Sequence, residues 1–273
     1  MNELTERSLS GDSLEKRADT ILSGIVADQL RAAGYASLLD TDGRTPEFQR
    51  SVVLALQAQT GLIRLSDLPP EGTSGLRLGP GAPDRPIHGI EGNAPSNTIA
   101  AYLIGLWLTI ISRNSSIMED MAWYPVDLTA APTARFNKYM FLWAECWQAL
   151  FRHRQVEVGR ITAAMDATLR RNLEYPDEDY GTLIAYPAMN LLLHLVTRNT
   201  AEFNTTLEQA LEDHAAFNST PDRVATAHAL VAWPLLAAVC QAADKGIPVE
   251  VESDYLPRAL IDRDWAAPYE PIY

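Results

Sequence analysis

Five histidines, two cysteines and two carboxylate trios are the groups in this chain that could do chemistry. The histidines are His88, His153, His194, His214 and His228, and none falls in a His-Glu-x-x-His pattern or a Cys/His cluster of metal-binding spacing. A metal site would need His194, His214 and His228 to converge from neighbouring helices. The competing reading is that they are satisfied core or boundary histidines, since His194 stands in Leu-Leu-Leu-His-Leu-Val and His214 on an apolar helix face. Cys146 and Cys240 each lie inside an apolar helical run, which suits buried, reduced thiols better than a disulfide. No Gly-x-Ser-x-Gly elbow, P-loop or dinucleotide-binding glycine pattern follows a plausible strand. Gly79-Pro80-Gly81 reads as turn chemistry, because Pro80 removes a backbone donor that a phosphate cradle would use. No catalytic, cofactor-binding or metal-binding residue is assigned.

The carboxylates carry more information. Asp177, Glu178 and Asp179 follow Tyr175-Pro176 at a helix start, where negative charge complements the helix dipole. Glu250, Glu252 and Asp254 follow the helix stop Gly246-Ile247-Pro248. Alternation with Val249 and Val251 would put both glutamates on one face of an extended segment. Two carboxylates facing across a sugar-sized gap would be needed for glycoside hydrolysis, and nothing in the spacing demands that. Two readings of the second trio remain open. One is an acidic strip flanked by Tyr255 and Trp265, suited to meeting a basic surface. The other is a solvated tail that packs its valines on the preceding helix.

The elements that must position these groups are helices. Asp12 with Glu15 reads as a capping-box variant opening a helix toward Ala33. Thr45-Pro46 and Thr220-Pro221 each place an N-cap before proline at the first helical position. Further helices are expected near 98–113, 116–124, 133–152, 156–174, 178–198, 200–218 and 222–245, with short connections that make neighbours antiparallel. The segment 62–97 is rich in glycine and proline and reads as a long connector with one short strand around Leu76 to Leu78. This gives an N-terminal helical pair over 1–61, the connector over 62–97, and a helical-hairpin region over 98–273, the first and last expected to form one continuous domain. Leu183-Ile-Ala-Tyr-Pro-Ala-Met189 aligns with Leu230-Val-Ala-Trp-Pro-Leu-Leu236, and a kinking proline repeated in register suggests a repeated packing unit. The segment 178–198 is apolar nearly all round and must be sandwiched. The segment 200–218 keeps Phe203, Leu207, Ala210 and Leu211 on one face, and 156–174 does likewise with Val158, Ile161, Met165 and Leu169. The expected fold is all-α: antiparallel hairpins stacked as an α-solenoid-like array or a layered bundle, with a short extended C-terminal segment.

Composition narrows the partner. At 273 residues with 47% hydrophobic content, the chain can bury a core without metal or disulfide support. Its formal net charge is −13, which argues against direct binding to nucleic acid or an anionic membrane and favours a basic protein partner. Acidity for solubility alone is the bland alternative. The N-terminus lacks a basic region followed by an apolar one, so a cytoplasmic protein is expected. The Asn-x-Ser/Thr matches at Asn114, Asn204 and Asn218 then carry little meaning. The apolar run 225–243 contains Thr226, His228, Pro234 and Gln241 and reads as a buried core helix, not a membrane span.

The run from Asp244 to Leu260, Asp-Lys-Gly-Ile-Pro-Val-Glu-Val-Glu-Ser-Asp-Tyr-Leu-Pro-Arg-Ala-Leu, after an Ala/Leu-rich helix, resembles the C-terminal signature of the immunity protein 49 family. These are all-helical proteins encoded beside bacterial polymorphic toxins. The resemblance implies an antitoxin that works by binding, with no catalytic motif and no cofactor. Its partner would be a cognate toxin. The acidic charge and the carboxylate spacing, not the resemblance, add the expectation that this toxin is basic and nuclease-like and is contacted through Asp177, Glu178, Asp179, Glu250, Glu252, Asp254 and Tyr255. A helical-repeat adaptor would instead show a concave groove with spaced polar side chains on its inner helices. An α-helical enzyme would show histidines and a carboxylate converging on a cavity.

Overall fold

In a computed structural model of the protein, residues 17–69, 71–79, 82–90, 96–129 and 135–265 are described. The expected capping pair Asp12 and Glu15 lies outside them, as do Pro80 and Gly81. The described chain is predominantly helical, and its only strands form one two-stranded ribbon.

Helices α1 (Ala18–Ser37) and α2 (Pro46–Ser66) make the N-terminal hairpin. Thr45 and Pro46 open α2 as their spacing predicts, although the Thr45 side chain makes no capping bond and its backbone N–H instead donates to Asp40 at 2.6 Å. Helix α2 runs five residues beyond 61, to Ser66, and is buried on nearly every side. The connector then folds back over it as an antiparallel hairpin of β1 (Thr73–Leu76) and β2 (Arg85–His88), where a single strand was expected. Leu76 and Ile87 are buried by this hairpin. Gly61 makes the seat possible, because a Cβ there would lie 2.4 Å from the Leu76 side chain.

The remaining helices are α3 (Ile99–Ser112), α4 (Ser115–Trp123), α5 (Lys138–His153) and α6 (Val158–Asp166). Short α7 (Glu178–Tyr180) continues through a π-helical turn, Gly181–Ala185, into α8 (Tyr186–Thr197). Then come α9 (Thr200–Asn218), α10 (Ala227–Leu230), α11 (Trp233–Asp244) and α12 (Arg258–Asp262). Asn114 caps α4 by accepting from the Ile117 N–H at 2.9 Å. Helix α6 ends at Asp166, sooner than its periodicity suggests; Val158 at its start is exposed while Ile161 and Met165 are buried. The apolar face read into α9 is buried as expected.

Two prolines are handled differently, which corrects the reading of a repeated kink. Pro187 removes a ladder hydrogen bond, and the helix absorbs the loss by widening into the π turn, where the Tyr186 N–H donates to Gly181. Pro234 does not kink a helix but opens one. The helix expected over 222–245 is broken: Thr220 to Thr226 form turns, α10 is one turn long, and Val231 is extended. The Ala232 N–H donates to the carbonyl of Tyr255 at 3.1 Å, so the C-terminal strip takes a bond the helix would have used. The run Ala227–Asp244 is apolar and long enough to be weighed as a membrane span, yet most of it is buried against the core.

The ends of the described chain meet. Helix α10 packs on α1, and α11 on α3. Arg44 pairs with Asp264, Gln49 donates to the Asp264 carbonyl at 2.8 Å, and the Ala259 N–H donates to Asp42 at 2.8 Å. In a solenoid each unit touches only its neighbours. This arrangement is therefore a closed, layered bundle. Its core centres on Trp107, Trp143, Trp147, Trp233, Tyr102 and Phe203, with the Trp107 and Trp143 rings 5.3 Å apart. Both cysteines are free and buried, and desolvation pushes their thiols up to about 12.

Candidate functional site

Each acidic trio stands on backbone held by a buried asparagine. Asn137, just before α5, accepts from the N–H groups of Glu174 and Tyr175 at 2.8 and 3.0 Å and donates to the Tyr175 carbonyl at 3.1 Å. This clamps the segment leading into Asp177, Glu178 and Asp179. Asn204, on α9, accepts from the Glu250 N–H at 2.9 Å and donates to the Pro248 carbonyl at 2.9 Å. Its side-chain amide thus pairs with the extended strip much as a neighbouring strand would. The sequence reading missed both asparagines. The available signal was their helix-disfavouring type directly after a phenylalanine, Phe136 or Phe203, where a buried amide must find partners.

The first trio divides. Asp177 faces inward and accepts a hydrogen bond from the hydroxyl of buried Tyr139. Burial raises the Asp177 pKa, while that hydrogen bond and nearby Arg223 pull it down. Asp177 occupies the N-cap position of α7 but makes no side-chain cap, so the helix-dipole argument does not describe its contact. Glu178 and Asp179 are exposed, with Glu178 paired to Arg170 at 3.4 Å.

The second trio behaves as one face. Glu250, Glu252 and Asp254 are exposed, while Val249 and Val251 pack against the core. The valines thus pack as the second reading has them, while the carboxylates face solvent. Tyr255 turns inward, its ring edge-on to His214 with centroids 4.9 Å apart, and Trp265 also packs on the core. Helix α9 runs between the two trios. Asn204 near its start holds the second, and Phe217 near its end meets Tyr180 beside the first, a span of about 20 Å along the helix. The exposed positions of α9 include Glu202, Glu208 and Glu212, and the helix contains no lysine or arginine.

The second feature is a cavity of about 500 Å³ where α3, the start of α5, the π turn and the end of α9 converge. Its walls are largely apolar, including Ile104, Trp107, Met140, Ile184 and Phe217. Polar groups reach it from several sides: Asp177, His214, His228, Arg135 and Arg223. His214 and His228 are brought together as the sequence allowed, whereas His194 lies outside the cavity. Desolvation lowers the pKa of His214 to about 4 and lowers that of His228 as well. His214 Nε2 is 3.2 Å from the Ala229 carbonyl, and neither histidine is hydrogen-bonded to a carboxylate among the described residues. The two histidines and Asp177 thus share one cavity, with the His214 ring held by a backbone carbonyl. Among the described residues no group of three or more His, Cys, Asp or Glu could hold a metal ion.

The fold and these features define an all-helical protein that presents charged groups on rigidly held backbone. A family model described as immunity protein 49 matches residues 28–260, so the chain belongs to that family. The match extends well beyond the C-terminal run that carried the resemblance and takes in the hairpin connector. Membership implies a partner toxin and a role exercised by binding. Neither the curated proteins nor the solved structures contain a match to the chain.

Proposed function

We propose that this protein is a non-catalytic, cytoplasmic immunity protein that binds a cognate basic toxin and masks it. The observation that carries the proposal is the family match over residues 28–260. The net charge of −13 and the two exposed carboxylate groups at either end of α9 support an electrostatically steered encounter. A buried patch of about 800 Å² on this side would supply residence time through apolar anchors. A nuclease would suit the charge, since an enzyme acting on nucleic acid presents a basic surface that an acidic protein can cover.

The test is co-expression with the toxin gene neighbouring this one, followed by association kinetics on the purified pair. Survival should require this gene. Replacing Glu178 and Asp179, or Glu250, Glu252 and Asp254, with lysine should slow association about tenfold at low salt and much less at high salt. Wild-type rates for both variants at low salt would remove the acidic surfaces from the assignment. Survival without this gene would sink the whole reading. The adaptor alternative gains no support, because the inner helices α3 and α11 are apolar and the bundle closes on itself.

A further inference from the structure

The cavity between α3, the π turn and α9 is not needed to display the acidic surfaces, yet the chain's backbone irregularities gather around it. The π turn contributes Ile184, the turns before α10 contribute Arg223 and Thr226, and Pro234 of the broken helix lies in the wall. Widened helical turns are common where a ligand is accommodated. A volume of about 500 Å³ falls in the range of small-molecule sites and exceeds what one inserted side chain would fill.

Three features specify the ligand. The walls offer aromatic and aliphatic surface in Trp107, Phe217, Ile104 and Ile184. Trp107, 3% exposed and packed on Trp143 with ring centres 5.3 Å apart, is fixed in the core, so the wall it forms is rigid. Two arginines are held ready by stacking: the Arg223 guanidinium lies 4.1 Å from the Phe217 ring centre and that of Arg135 lies 5.8 Å from Tyr175. Neither forms a salt bridge among the described residues, and the one carboxylate in the wall, Asp177, is already bonded to Tyr139.

We infer that this cavity is a binding site for a small amphipathic monoanion, its apolar body against Trp107, Ile104 and Ile184 and its anionic group between Arg135 and Arg223. The inference stands apart from toxin binding and can fail without affecting it.

Two probes test it on the full chain: anilinonaphthalene sulfonate, an aromatic monoanion followed by fluorescence, and dodecanoate, an aliphatic one followed by calorimetry. The expected result is saturable one-to-one binding of at least one probe, weakened about tenfold by Arg223→Gln and by Arg135→Gln. Ala100→Trp and Ile104→Trp, which place a ring into the cavity, should abolish it, with circular dichroism showing that helix content is retained. Either filling variant alone suffices if the other does not fold. Failure of both probes to bind overturns the proposal. So does binding that survives the filling variants, which places the probe elsewhere. Loss of toxin binding in a folded filling variant, without probe binding in the wild type, would assign the cavity to a side chain of the toxin instead.

Discussion

At the scale of single residues, one arginine and one histidine carry contacts that can be tested directly. Arg113 ends α3, and its side chain is only 9% exposed. Its guanidinium donates to Ile111 at 2.7 Å and to Ile261 at 3.0 Å, and pairs with Asp244 at 3.2 Å, joining α3 to α11 and α12. Removing it leaves several buried carbonyls unpaired, while Asp244 keeps Arg263 at 2.9 Å. Arg113→Ala should therefore cost about 3 kcal/mol in chemical denaturation. His214 is a second case. Its folded pKa of about 4 lies below its ordinary 6.5, so the unfolded chain binds the proton more readily. The associated stability is complete above about pH 6.5 and is lost as the pH falls toward 4, a total of about 3 kcal/mol. Asp177, whose pKa is raised, acts in the opposite sense at lower pH, so the comparison must be between wild type and His214→Gln. The variant should show a shallower loss of stability between pH 6.5 and 4, and equal slopes would refute the assignment. The asparagines show why residue-scale function was hard to read: Asn114, Asn204 and Asn218 match a glycosylation pattern, yet each is buried in a structural hydrogen bond.

At the scale of elements, the helix ends share an unusual solution. Among the described residues, four non-glycine residues have positive φ, Arg113, Arg154, Arg198 and Arg263, and they close α3, α5, α8 and α12 in the left-handed conformation. Glycine is the usual residue there, and the arginines accept a steric cost of about 1 kcal/mol in exchange for a cation near the helix C-terminus. Where the guanidinium makes no deep contact, as at exposed Arg154, glycine should do better. Arg154→Gly should raise the melting temperature by about 2–4 °C, whereas Arg113→Gly should lower it, because its buried bonds are lost. A lower value for Arg154→Gly would show that the charge outweighs the strain. Helix existence and the apolar face of α9 were legible because periodicity and caps are local signals. The fate of Trp233-Pro234 was not: whether a proline bends a helix or begins one depends on a competing acceptor, here the Tyr255 carbonyl twenty-two residues on. The β-hairpin over α2 was half legible, as its strands are four residues long and one of them contains Pro86. The clamps on the acidic trios join residues 37 to 46 apart in sequence, a relation that no local pattern reports.

At the scale of the whole molecule, closure decides how the protein unfolds. A linear array of hairpins would lose its end units first, since each is held by one neighbour. Here α10 covers α1, the loop before α2 binds the segment after α12, and Arg113 ties α3 to α11 and α12. Opening either end therefore exposes the same apolar interior. Four of the six tryptophans lie within that shared interior: Trp107, Trp143, Trp147 and Trp233 are each no more than 3% exposed. Urea unfolding should then be a single transition, with tryptophan fluorescence and far-ultraviolet circular dichroism giving coincident midpoints. Gly43 offers a probe of the closing contact. It has φ of 71°, and a Cβ there would lie 2.7 Å from Phe48 and 2.8 Å from Pro257, so Gly43→Ala pushes the two ends apart. If closure is what makes unfolding cooperative, this substitution should lower both midpoints together by the equivalent of about 1–3 kcal/mol. A variant whose helix signal is lost before its tryptophan signal would mean that the ends unfold independently. The bundle would then behave as an array despite its contacts.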